Sequence, residues 1–580
     1  RRSGRERAVP GKYKNYVLPS KGLPSHHSTD NPSSDDFAEA GPSSVKHGLK
    51  ASKGATKKST DPRTVAEALR SDEADLWRTA MGEELQALMD NNTWELVQLP
   101  SDKKAIGCKW LFKTKRDEHG RVVRHKARIV AQGFTQKYGT DYDEVFAPVA
   151  KQVTFRVLLT IASRRNSVVK HVDVKTAYLN GELEETIFMR QPEGYTTGDE
   201  RTVCRLRRSL YGLKQSARVW NRKVDSTFKS IGFQQSKSDP CLYMRRQNDT
   251  FAYILIYVDD MVIVTQTEEE FNAIFESLQR NFTVTNLGDI RHFLGMEVER
   301  SDAGYKLNQA TYIRKLVQRF NLEQAKPSKV PLDPGYLQQK EEECKPLPNN
   351  QDYLSLIGGL LYVAVHTRPD IAVSTSILAQ KSSKPNQQDW NEAKRVLRYL
   401  DSTINHKFQL GATNEELQMF VDADWAGNSR DRKSNSGVLL QFGGGLVAWC
   451  TRKQTCVALS STEAEFVALA EGCQELIWTR RLLEEVGEAA LGPTRVNEDN
   501  QSCIKLVESD KIERRSKHIE TRYFFVRDLQ EKGTISLQYC PTENMLADVM
   551  TKPLARIKLE KLRSAIGIRP DQFEEECRCK

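Results

Sequence analysis

The chain lacks long apolar runs, which limits the classes of protein to which it can belong. Its 580 residues contain no apolar stretch of the about 20 residues needed to cross a bilayer. We therefore expect no membrane span and no membrane partner. The opening residues 1–5 (RRSGR) contain neither Met nor an apolar segment, which predicts that the sequence has no signal peptide and is a fragment of a longer polyprotein.

Closely spaced cysteine pairs are also scarce. The 11 cysteines are scattered, and the nearest two, Cys577 and Cys579, are separated by a single residue near the end of the sequence. No CxxC pair or Cys/His knuckle is present, so a zinc site is not indicated. Scattered thiols of this kind are typical of free cysteines in a reducing compartment.

The charge balance and the first segment point to a polyanionic partner. The formal net charge is +10, a balance that favours binding to nucleic acid. Residues 1–60 are rich in Ser, Gly, Pro, Lys and Arg, with few large apolar residues. Such a segment buries too little surface to order itself, so we predict a disordered basic linker. It would act as a solvated spacer or contact nucleic acid.

Two predicted strands, residues 107–115 and 125–133, alternate apolar with basic residues. Because successive strand residues point to opposite faces, this pattern would line one face with Lys and Arg. Such a face either binds phosphates or is an ordinary solvated surface.

The most informative stretch is residues 251–264 (FAYILIYVDDMVIV), in which Asp259 and Asp260 interrupt an apolar run. Apolar residues on both sides predict two buried strands that meet at a tight turn. The acids would either cap the turn or hold divalent cations. A turn alone would favour Gly, Asn or Pro beside the acids rather than Tyr, Val and Met.

A third acid, Asp173, falls near the end of a short predicted strand over residues 172–174. Alone, it would most often be a helix cap. Together with Asp259 and Asp260, it could complete a site for two divalent ions with space for a triphosphate.

A second acidic constellation occurs in a predicted domain that begins near residue 419. Its pattern of three strands, a long helix and then alternating strands and helices predicts a mixed sheet with helices on its faces. Four acids fall near the ends of different elements: Asp422, Glu465, Asp499 and Asp548. Together they suggest a second oxygen-ligand site for Mg²⁺.

Seven motifs resemble those of the reverse transcriptase and ribonuclease H portion of copia-type LTR retrotransposon polyproteins, over roughly residues 62–556. They are KARIVAQGF (126–134), DVKTAYLNG (173–181), YGLKQ (211–215), YVDD (257–260), FLGM (293–296), VDADW (421–425) and SSTEAE (460–465).

The resemblance implies a multidomain fold of the α+β / α/β class. Its parts would be a right-hand polymerase (fingers and ferredoxin-like palm, small thumb or connection) and a ribonuclease H-like mixed α/β domain. The implied divisions are a linker with an integrase tail remnant (1–60), reverse transcriptase (61–335), linker and helical connection (336–415), ribonuclease H-like domain (416–556) and tail (557–580).

For the polymerase, the resemblance implies that Asp173, Asp259 and Asp260 hold two Mg²⁺ ions, with Mn²⁺ as the alternative cation. It also gives roles to four substrate-binding residues. Lys115 and Arg128 would meet the incoming dNTP, Tyr178 would exclude a ribose 2′-hydroxyl, and Gln215 would lie beneath the nucleotide and template. Outside this motif set, the same residues would be surface cations, a core Tyr and a capping amide.

For the ribonuclease H domain, the resemblance implies a catalytic and metal-binding tetrad of Asp422, Glu465, Asp499 and Asp548, also with two Mg²⁺ ions. Glu498 adjoins Asp499 and is the alternative ligand. We expect Glu463 to be solvent-exposed on another helix face and Asp424 to be a neighbour of the site. His518 would help product release or be an ordinary surface residue.

The implied function is RNA-directed DNA synthesis with removal of the RNA strand, in the service of transposition and DNA integration. The implied partners are an RNA template, a DNA primer, the RNA–DNA hybrid, dNTPs and the upstream integrase and capsid parts of the same polyprotein. The implied location is a cytoplasmic virus-like particle with entry to the nucleus. One alternative is a decayed or domesticated fragment that binds nucleic acid without catalysis. In another, only one activity survives without upstream sequence.

Overall fold

The computed structural model describes residues 61–116, 121–247, 250–338, 345–429, 431–509 and 520–571. The predicted linker over residues 1–60 and His518 therefore lie outside the described residues. Within the described part of the chain, no helix combines the length and the apolar character needed to span a bilayer.

The described chain is a mixture of helices and strands from its beginning to its end. The elements up to residue 208 are α1 Val65–Arg70, α2 Ala74–Asp90, β1 Trp94–Gln98, β2 Cys108–Arg116, β3 Val122–Ala131, α3 Gln152–Arg164, β4 Val168–Val174, β5 Glu182–Met189 and β6 Thr202–Arg208. The next elements are α4 Ser216–Ser230, β7 Gln234–Gln235, β8 Leu242–Gln247, β9 Thr250–Tyr257, β10 Asp260–Thr265, α5 Glu268–Gln279, β11 Val284–Asp289, β12 His292–Phe293, β13 Met296–Ser301, β14 Gly304–Asn308 and α6 Ala310–Arg319.

The remaining elements begin with three helices and continue as alternating strands and helices. They are α7 Gln351–His366, α8 Ala372–Ala379, α9 Gln387–Ser402, β15 His406–Gln409, β16 Gln418–Ala423, β17 Asn435–Phe442, β18 Gly445–Lys453, α10 Ser461–Glu485, β19 Thr494–Glu498, α11 Gln501–Glu508, α12 Glu520–Glu531, β20 Ile535–Tyr539, α13 Asp548–Thr551, α14 Arg556–Ala565 and β21 Ile568–Pro570.

The described residues divide into two compact units. The first contains the described residues of 61–145 and 182–216, and the second contains those of 146–181 and 217–571. The first unit holds the sheet β1-β6-β5 and the hairpin β2-β3. Helix α2 packs on β3, and its Trp77 ring meets Phe112 edge-on, with centroids 5.3 Å apart.

The predicted alternation along the β2-β3 hairpin is confirmed. Trp110, Phe112, Ala127 and Ile129 are buried, whereas the basic residues between them are half-buried or exposed. The apolar face of the hairpin therefore forms core, and Lys and Arg side chains line its other face.

The second unit contains a six-stranded antiparallel sheet in the order β11-β4-β10-β9-β8-β7. Strand β10 is buried along its whole length, as is most of β9, because α3 and α5 pack against the sheet and its residues are largely aliphatic. The two buried strands around residues 259 and 260 that the sequence predicts are thus confirmed.

A five-stranded antiparallel sheet, β12-β13-β14-β15-β21, follows in the second unit. The run of residues 293–298 is divided between two of these strands. The backbone reverses between β12 and β13, where Leu294 and Gly295 have φ angles of 49° and 70°. The reversal uses left-handed conformations that favour Gly, so an apolar run is divided between two paired strands.

The last sheet, β18-β17-β16-β19-β20, is mixed as predicted. Strands β18, β17 and β16 are antiparallel, while β19 and β20 run parallel to β16. Helix α10 packs on β16 and β17. In the first half of α10, residues on almost every side of the helix are buried. The helix is therefore central to this domain.

The segment after residue 556 differs from the predicted tail. It forms α14 and then β21, whose Ile568 pairs with Phe408 of β15. Both residues are fully buried or nearly so. The described part of this segment therefore completes a sheet whose other strands precede the mixed sheet in sequence.

A buried arginine connects elements around two of these sheets. Arg156 of α3 donates from Nε to the carbonyl of Val447 at 2.8 Å and from Nη1 to that of His366 at 3.1 Å. Its guanidinium carbon lies 3.8 Å from the centroid of the Trp449 ring. Burial lowers the pKa of Arg156 to about 9. These bonds join α3 to β18 and to the end of α7.

Candidate functional site

The turn between β9 and β10 carries the adjacent acids Asp259 and Asp260. Val258 precedes them with φ 55°, a costly conformation for a β-branched residue. Its carbonyl accepts a hydrogen bond from Trp220 Nε1 at 2.6 Å. The carbonyl of Asp259 accepts one from the amide of Val174 at 2.8 Å. Strain held by tertiary contacts is typical of a functional turn.

The strand register brings the third acid to this turn. Asp260 of β10 lies directly opposite Asp173 of β4, and both residues of the Asp pair are buried. Directly opposed side chains lie close together on one face of a sheet, and like charges in that position destabilise it. A cation would relieve this repulsion, and carboxylates are the hard oxygen ligands that Mg²⁺ prefers.

His171 also contacts this acid group. Its Nε2 lies 2.9 Å from Oδ1 of Asp260, and it points to the same face of β4 as Asp173 because it lies two residues earlier. Sequence reasoning missed His171, although this spacing could have identified it.

Tyr178 lies just beyond β4, in a short 3-10 turn over Ala177–Asn180. The turn follows Thr176, which has φ 53°. The side chain of Tyr178 is buried, with 3% of its surface exposed. An aromatic ring is thus fixed by packing a few residues from Asp173.

The other three predicted substrate residues lie in the first unit. Lys115 and Arg128 belong to the paired strands β2 and β3, and the Arg128 guanidinium lies 4.5 Å from the centroid of the Tyr211 ring. Gln215 is buried. It accepts from Gln136 Nε2 at 3.0 Å and donates to the carbonyl of Asp141 at 2.9 Å.

Gly212 allows the YGLKQ segment to approach β3. A Cβ built there would lie 2.2 Å from the carbonyl oxygen of Ala131, and its φ is 93°. Beside it, the amide of Ala131 donates to the carbonyl of Tyr211 at 2.8 Å. Glycine is therefore required for this contact, which brings Tyr211 to the strand of Arg128.

A second acid group forms at the mixed sheet. Asp422 on β16, Glu465 on α10 and Asp499 just after β19 each offer one carboxylate oxygen, and these oxygens all lie within 4.8 Å of one another. Among the described residues, no other set of three His, Cys, Asp or Glu ligand atoms meets this distance. The polymerase-motif aspartates therefore do not converge in this way.

The electrostatics of this group suit a cation. Burial, followed by repulsion from Glu498 and Asp422, raises the pKa of Glu465, and burial also raises the pKa of Asp422. Glu465 Oε2 is buried and has no hydrogen-bond partner in the described part of the chain. A cation bound here would satisfy this oxygen and offset the repulsion.

The fourth predicted ligand, Asp548, is not in the convergent set. It is fully buried at the start of α13 and forms ion pairs with Lys552 and Lys558. Lys552 Nζ also lies 3.6 Å from Oδ2 of Asp422. Burial alone would lower the pKa of Lys552, but Asp422 and Asp548 outweigh burial and raise it.

The neighbouring acids have distinct roles. Glu498 is fully buried and accepts from the amide of Asn500 at 3.0 Å, whereas Asp499 is the residue in the convergent set. Asp424 is a buried neighbour that accepts from Asn435 Nδ2 at 3.1 Å. The expectation that Glu463 is solvent-exposed is wrong. Its exposed fraction is 7%, because its carboxylate folds back to accept from the amide of Leu459 at 2.8 Å.

Both lysines at Asp548 were missed by sequence reasoning. Lys552 lies four residues after Asp548, a spacing that places side chains on one helical face and could have identified it. Lys558 carries no such signal, because it lies on α14 in the segment that was predicted to be a tail.

Comparisons with known proteins match the sequence of this chain to one family. A family model described as "Reverse transcriptase (RNA-dependent DNA polymerase)" matches residues 91–334. The chain is 38% identical over 518 residues to "Retrovirus-related Pol polyprotein from transposon TNT 1-94" of Nicotiana tabacum, a match that covers 88% of the chain and 39% of that protein. It is 30% identical over 320 residues to a "Putative transposon Ty5-1 protein" of Saccharomyces cerevisiae, covering 53% of the chain and 100% of that protein.

A solved foamy viral protease-reverse transcriptase in complex with dsDNA is also similar. It is 14% identical, with 80% of this chain and 81% of that chain covered and a TM-score of 0.20. A TM-score this low does not assign a fold, so the assignment rests on the sequence relatives.

The family match and the acid-bearing strands define the class of the protein: it contains a reverse transcriptase domain. More particularly, the chain belongs to the family of retrovirus-related Pol polyproteins of copia-type transposons. It spans about two fifths of the length of the tobacco polyprotein that it matches.

Proposed function

We propose that this chain is an RNA-directed DNA polymerase with a fused ribonuclease H, which copies retrotransposon RNA into DNA and degrades the RNA strand of the hybrid. The observation that carries the polymerase is the register that sets Asp173 opposite Asp260 within the matched reverse transcriptase domain. The observation that carries the nuclease is the convergence of Asp422, Glu465 and Asp499.

In the polymerase, Asp173, Asp259 and Asp260 would hold two Mg²⁺ ions, with Mn²⁺ as the alternative. When bound, the ions would supply a lowered pKa for the attacking hydroxyl or water and neutralise charge on the phosphate. The six-stranded sheet that carries these acids would be the palm of a right-hand polymerase, with a ferredoxin-like arrangement.

The substrate-binding residues would act by charge and shape. Lys115 and Arg128 on the basic face of the β2-β3 hairpin would bind the triphosphate of the dNTP. Tyr178 would reject a ribonucleotide because its packed ring would occupy the space of the 2′-hydroxyl. Gln215, held by Gln136 and Asp141, would support the nucleotide and template.

In the nuclease, Asp422, Glu465 and Asp499 would hold a cation and Asp548 would complete the tetrad. The scissile phosphate of the RNA strand would lie against these carboxylates. Recognition of the hybrid would depend on its backbone, its shape and the 2′-hydroxyl rather than on base sequence.

The polyprotein relatives suggest further partners and a location. Integrase and capsid parts of the same polyprotein would accompany this chain. Reverse transcription would occur in a cytoplasmic virus-like particle, with later entry to the nucleus for integration.

The test of the polymerase is extension of an oligo-dT primer on poly-rA with Mg²⁺. The wild type should extend the primer, and Asp259→Asn/Asp260→Asn should not. Asp302→Asn, which changes an exposed residue between β13 and β14, is the matched control and should extend normally. If the wild type binds the duplex tightly and salt-sensitively but does not extend it, even when upstream polyprotein sequence is added, the fragment is a binding protein only.

A further inference from the structure

The nuclease acid group is divided into two halves of different chemistry. On one side, the oxygens of Asp422, Glu465 and Asp499 converge within 4.8 Å of one another. On the other side, both carboxylate oxygens of Asp548 face ammonium groups: Lys552 at Oδ1 and Lys558 at Oδ2. In the first half each acid offers one carboxylate oxygen to a cation, although Asp422 also accepts from the Thr551 hydroxyl and Asp499 from that of Thr542. The second half already contains cations that belong to the chain.

The two ammonium groups supply positive charge to a buried carboxylate. Asp548 is fully buried, and an ionised carboxylate without a counter-charge is expensive in such a place. Lys552 also reaches Asp422, with Nζ 3.6 Å from Oδ2, so it bridges the two halves. Removing both lysines would leave several carboxylates to repel one another.

The lysines can nevertheless leave. Their side chains are 39% and 34% exposed, whereas the side chain of Asp548 is 0% exposed. A long side chain that emerges at the surface can swing its ammonium group into water, where it is well hydrated. Asp548 has no such freedom, so any exchange of partners at this carboxylate must occur by movement of the lysines.

A carboxylate oxygen that is ion-paired with an ammonium group is less available as a ligand for a divalent cation. Two positive charges about 4 Å apart also repel each other strongly in a partly buried site. The lysines and a divalent cation therefore compete for Asp548.

We propose that Lys552 and Lys558 act as internal competitors for the second divalent cation of this site, holding Asp548 until the ammonium groups are displaced. This inference rests on the proposed ribonuclease H function. The first cation would bind at Asp422, Glu465 and Asp499, and the second would bind weakly because it must displace the lysines. The site would consequently require a higher concentration of divalent cation than a tetrad without lysines.

The experiment is calorimetric titration of the full chain with Mn²⁺ in the absence of nucleic acid. The Asp173→Asn/Asp259→Asn/Asp260→Asn background removes the polymerase acids, so that the heats report on the nuclease site. In this background we expect one tighter and one weaker site. Lys552→Met/Lys558→Met should tighten the weaker site by about tenfold or more, since removal of nearby positive charge favours the cation.

Lys561→Met is the matched control, because Lys561 is also on α14 but binds the carbonyl of Glu543 at 2.9 Å. It should leave both affinities unchanged. If the double variant does not fold without metal, Lys558→Gln alone is measured, with about a severalfold tightening expected. Unchanged affinity of the second cation in whichever lysine variant folds would overturn the proposal.

One further variant, Asp422→Asn, and an assay of hybrid cleavage separate this proposal from the nuclease function. Asp422→Asn should remove the tighter site. If it does so while the lysine variants bind Mn²⁺ as the unmodified triple-variant background does, the competition is overturned and the metal site stands. If the metal binding follows the predicted pattern but no hybrid is cleaved, the nuclease function fails and the competition stands. If the triple-variant background with both lysines intact binds no cation, both the competition and the metal site are overturned.

Discussion

The two acid groups of the second unit are built in different ways. In the polymerase-motif group, Asp260 and Asp173 lie opposite each other on paired strands, and Asp259 belongs to the turn beside them. In the proposed nuclease group, Asp422, Glu465 and Asp499 come from a strand, a helix and a strand end. The first group is therefore fixed by local register, and the second by the packing of a whole domain.

This difference extends to the side chains that contact the acids. A histidine from the same strand contacts the first group, whereas lysines from α13's end and α14 contact the second. Because the two acid groups are built from different elements, a substitution in one group should leave the activity of the other intact.

The largest effect is expected from Asp422→Asn. Because Asp422 touches both halves of the nuclease group, its loss should lower hybrid cleavage by about a thousandfold, in the range of removing one member of a catalytic unit. Primer extension should stay within about twofold of the wild type. Cleavage of a labelled RNA–DNA hybrid is measured, with Asp424→Asn as a neighbouring control. Joint loss of both activities in Asp422→Asn would contradict separate construction.

The next effect concerns sugar selection in the polymerase. Tyr178→Val should lower the preference for dNTPs over ribonucleotides by about tenfold or more, because the bulk that excludes the 2′-hydroxyl is removed. The ratio of kcat/KM for the two nucleotides is the measurement, and it is insensitive to a general loss of stability. Tyr178→Phe keeps the ring and should keep the preference. An unchanged ratio in Tyr178→Val would remove the assigned role.

A smaller effect is expected at His171. His171→Ala removes the contact with Asp260 and should reduce primer extension by about tenfold, the order of one hydrogen bond to a charged group. The Mg²⁺ concentration for half-maximal extension should rise as well, which a purely structural loss would not cause. His171→Gln supplies an amide donor and should restore most of the activity. Hybrid cleavage should not change, and a parallel loss there would indicate general damage.

The smallest effect is a pH dependence of stability in the domain built on the mixed sheet. Burial raises the pKa of Asp424 to about 6, so the folded state binds its proton more tightly than the unfolded state. The resulting stability is fully present below pH 4 and is lost as the pH rises to about 6. Asp424→Asn should reduce the decline in the free energy of unfolding between pH 4 and pH 6 by on the order of 2 kcal/mol. Urea unfolding without metal at several pH values measures it.

The exposed Asp75→Asn is the control for this pH experiment and should leave the decline unchanged. A decline in Asp424→Asn equal to that of the wild type would show that Asp424 does not carry it.

The sequence predicted most of what depends on local pattern. Period-two alternation identified the β2-β3 hairpin, and the apolar run around Asp259 identified the central strands. The order of elements identified the mixed sheet. Each of these features depends on a short stretch of sequence. The motifs that identify them also contain Asp173, Asp259, Asp422 and Glu465.

The remaining features depend on contacts between distant segments. Glu463 was expected in solvent because its helical position faces away from Glu465, but its side chain folds back onto the backbone before the helix. Lys558 could not be placed because α14 has no motif and β21 pairs with β15 across more than 150 residues. The apolar run over residues 293–298 likewise gives no signal for the reversal of the chain at Leu294 and Gly295.

The most direct measurement follows both reactions on one substrate. A primer labelled at one end is annealed to an RNA template carrying a second label, and extension and RNA shortening are recorded together for the wild type, Asp260→Asn and Asp422→Asn. The wild type should extend the primer and cut the RNA. Asp260→Asn should only cut, and Asp422→Asn should only extend. Loss of both reactions in either variant, or neither reaction in the wild type, would contradict two separately built catalytic sites.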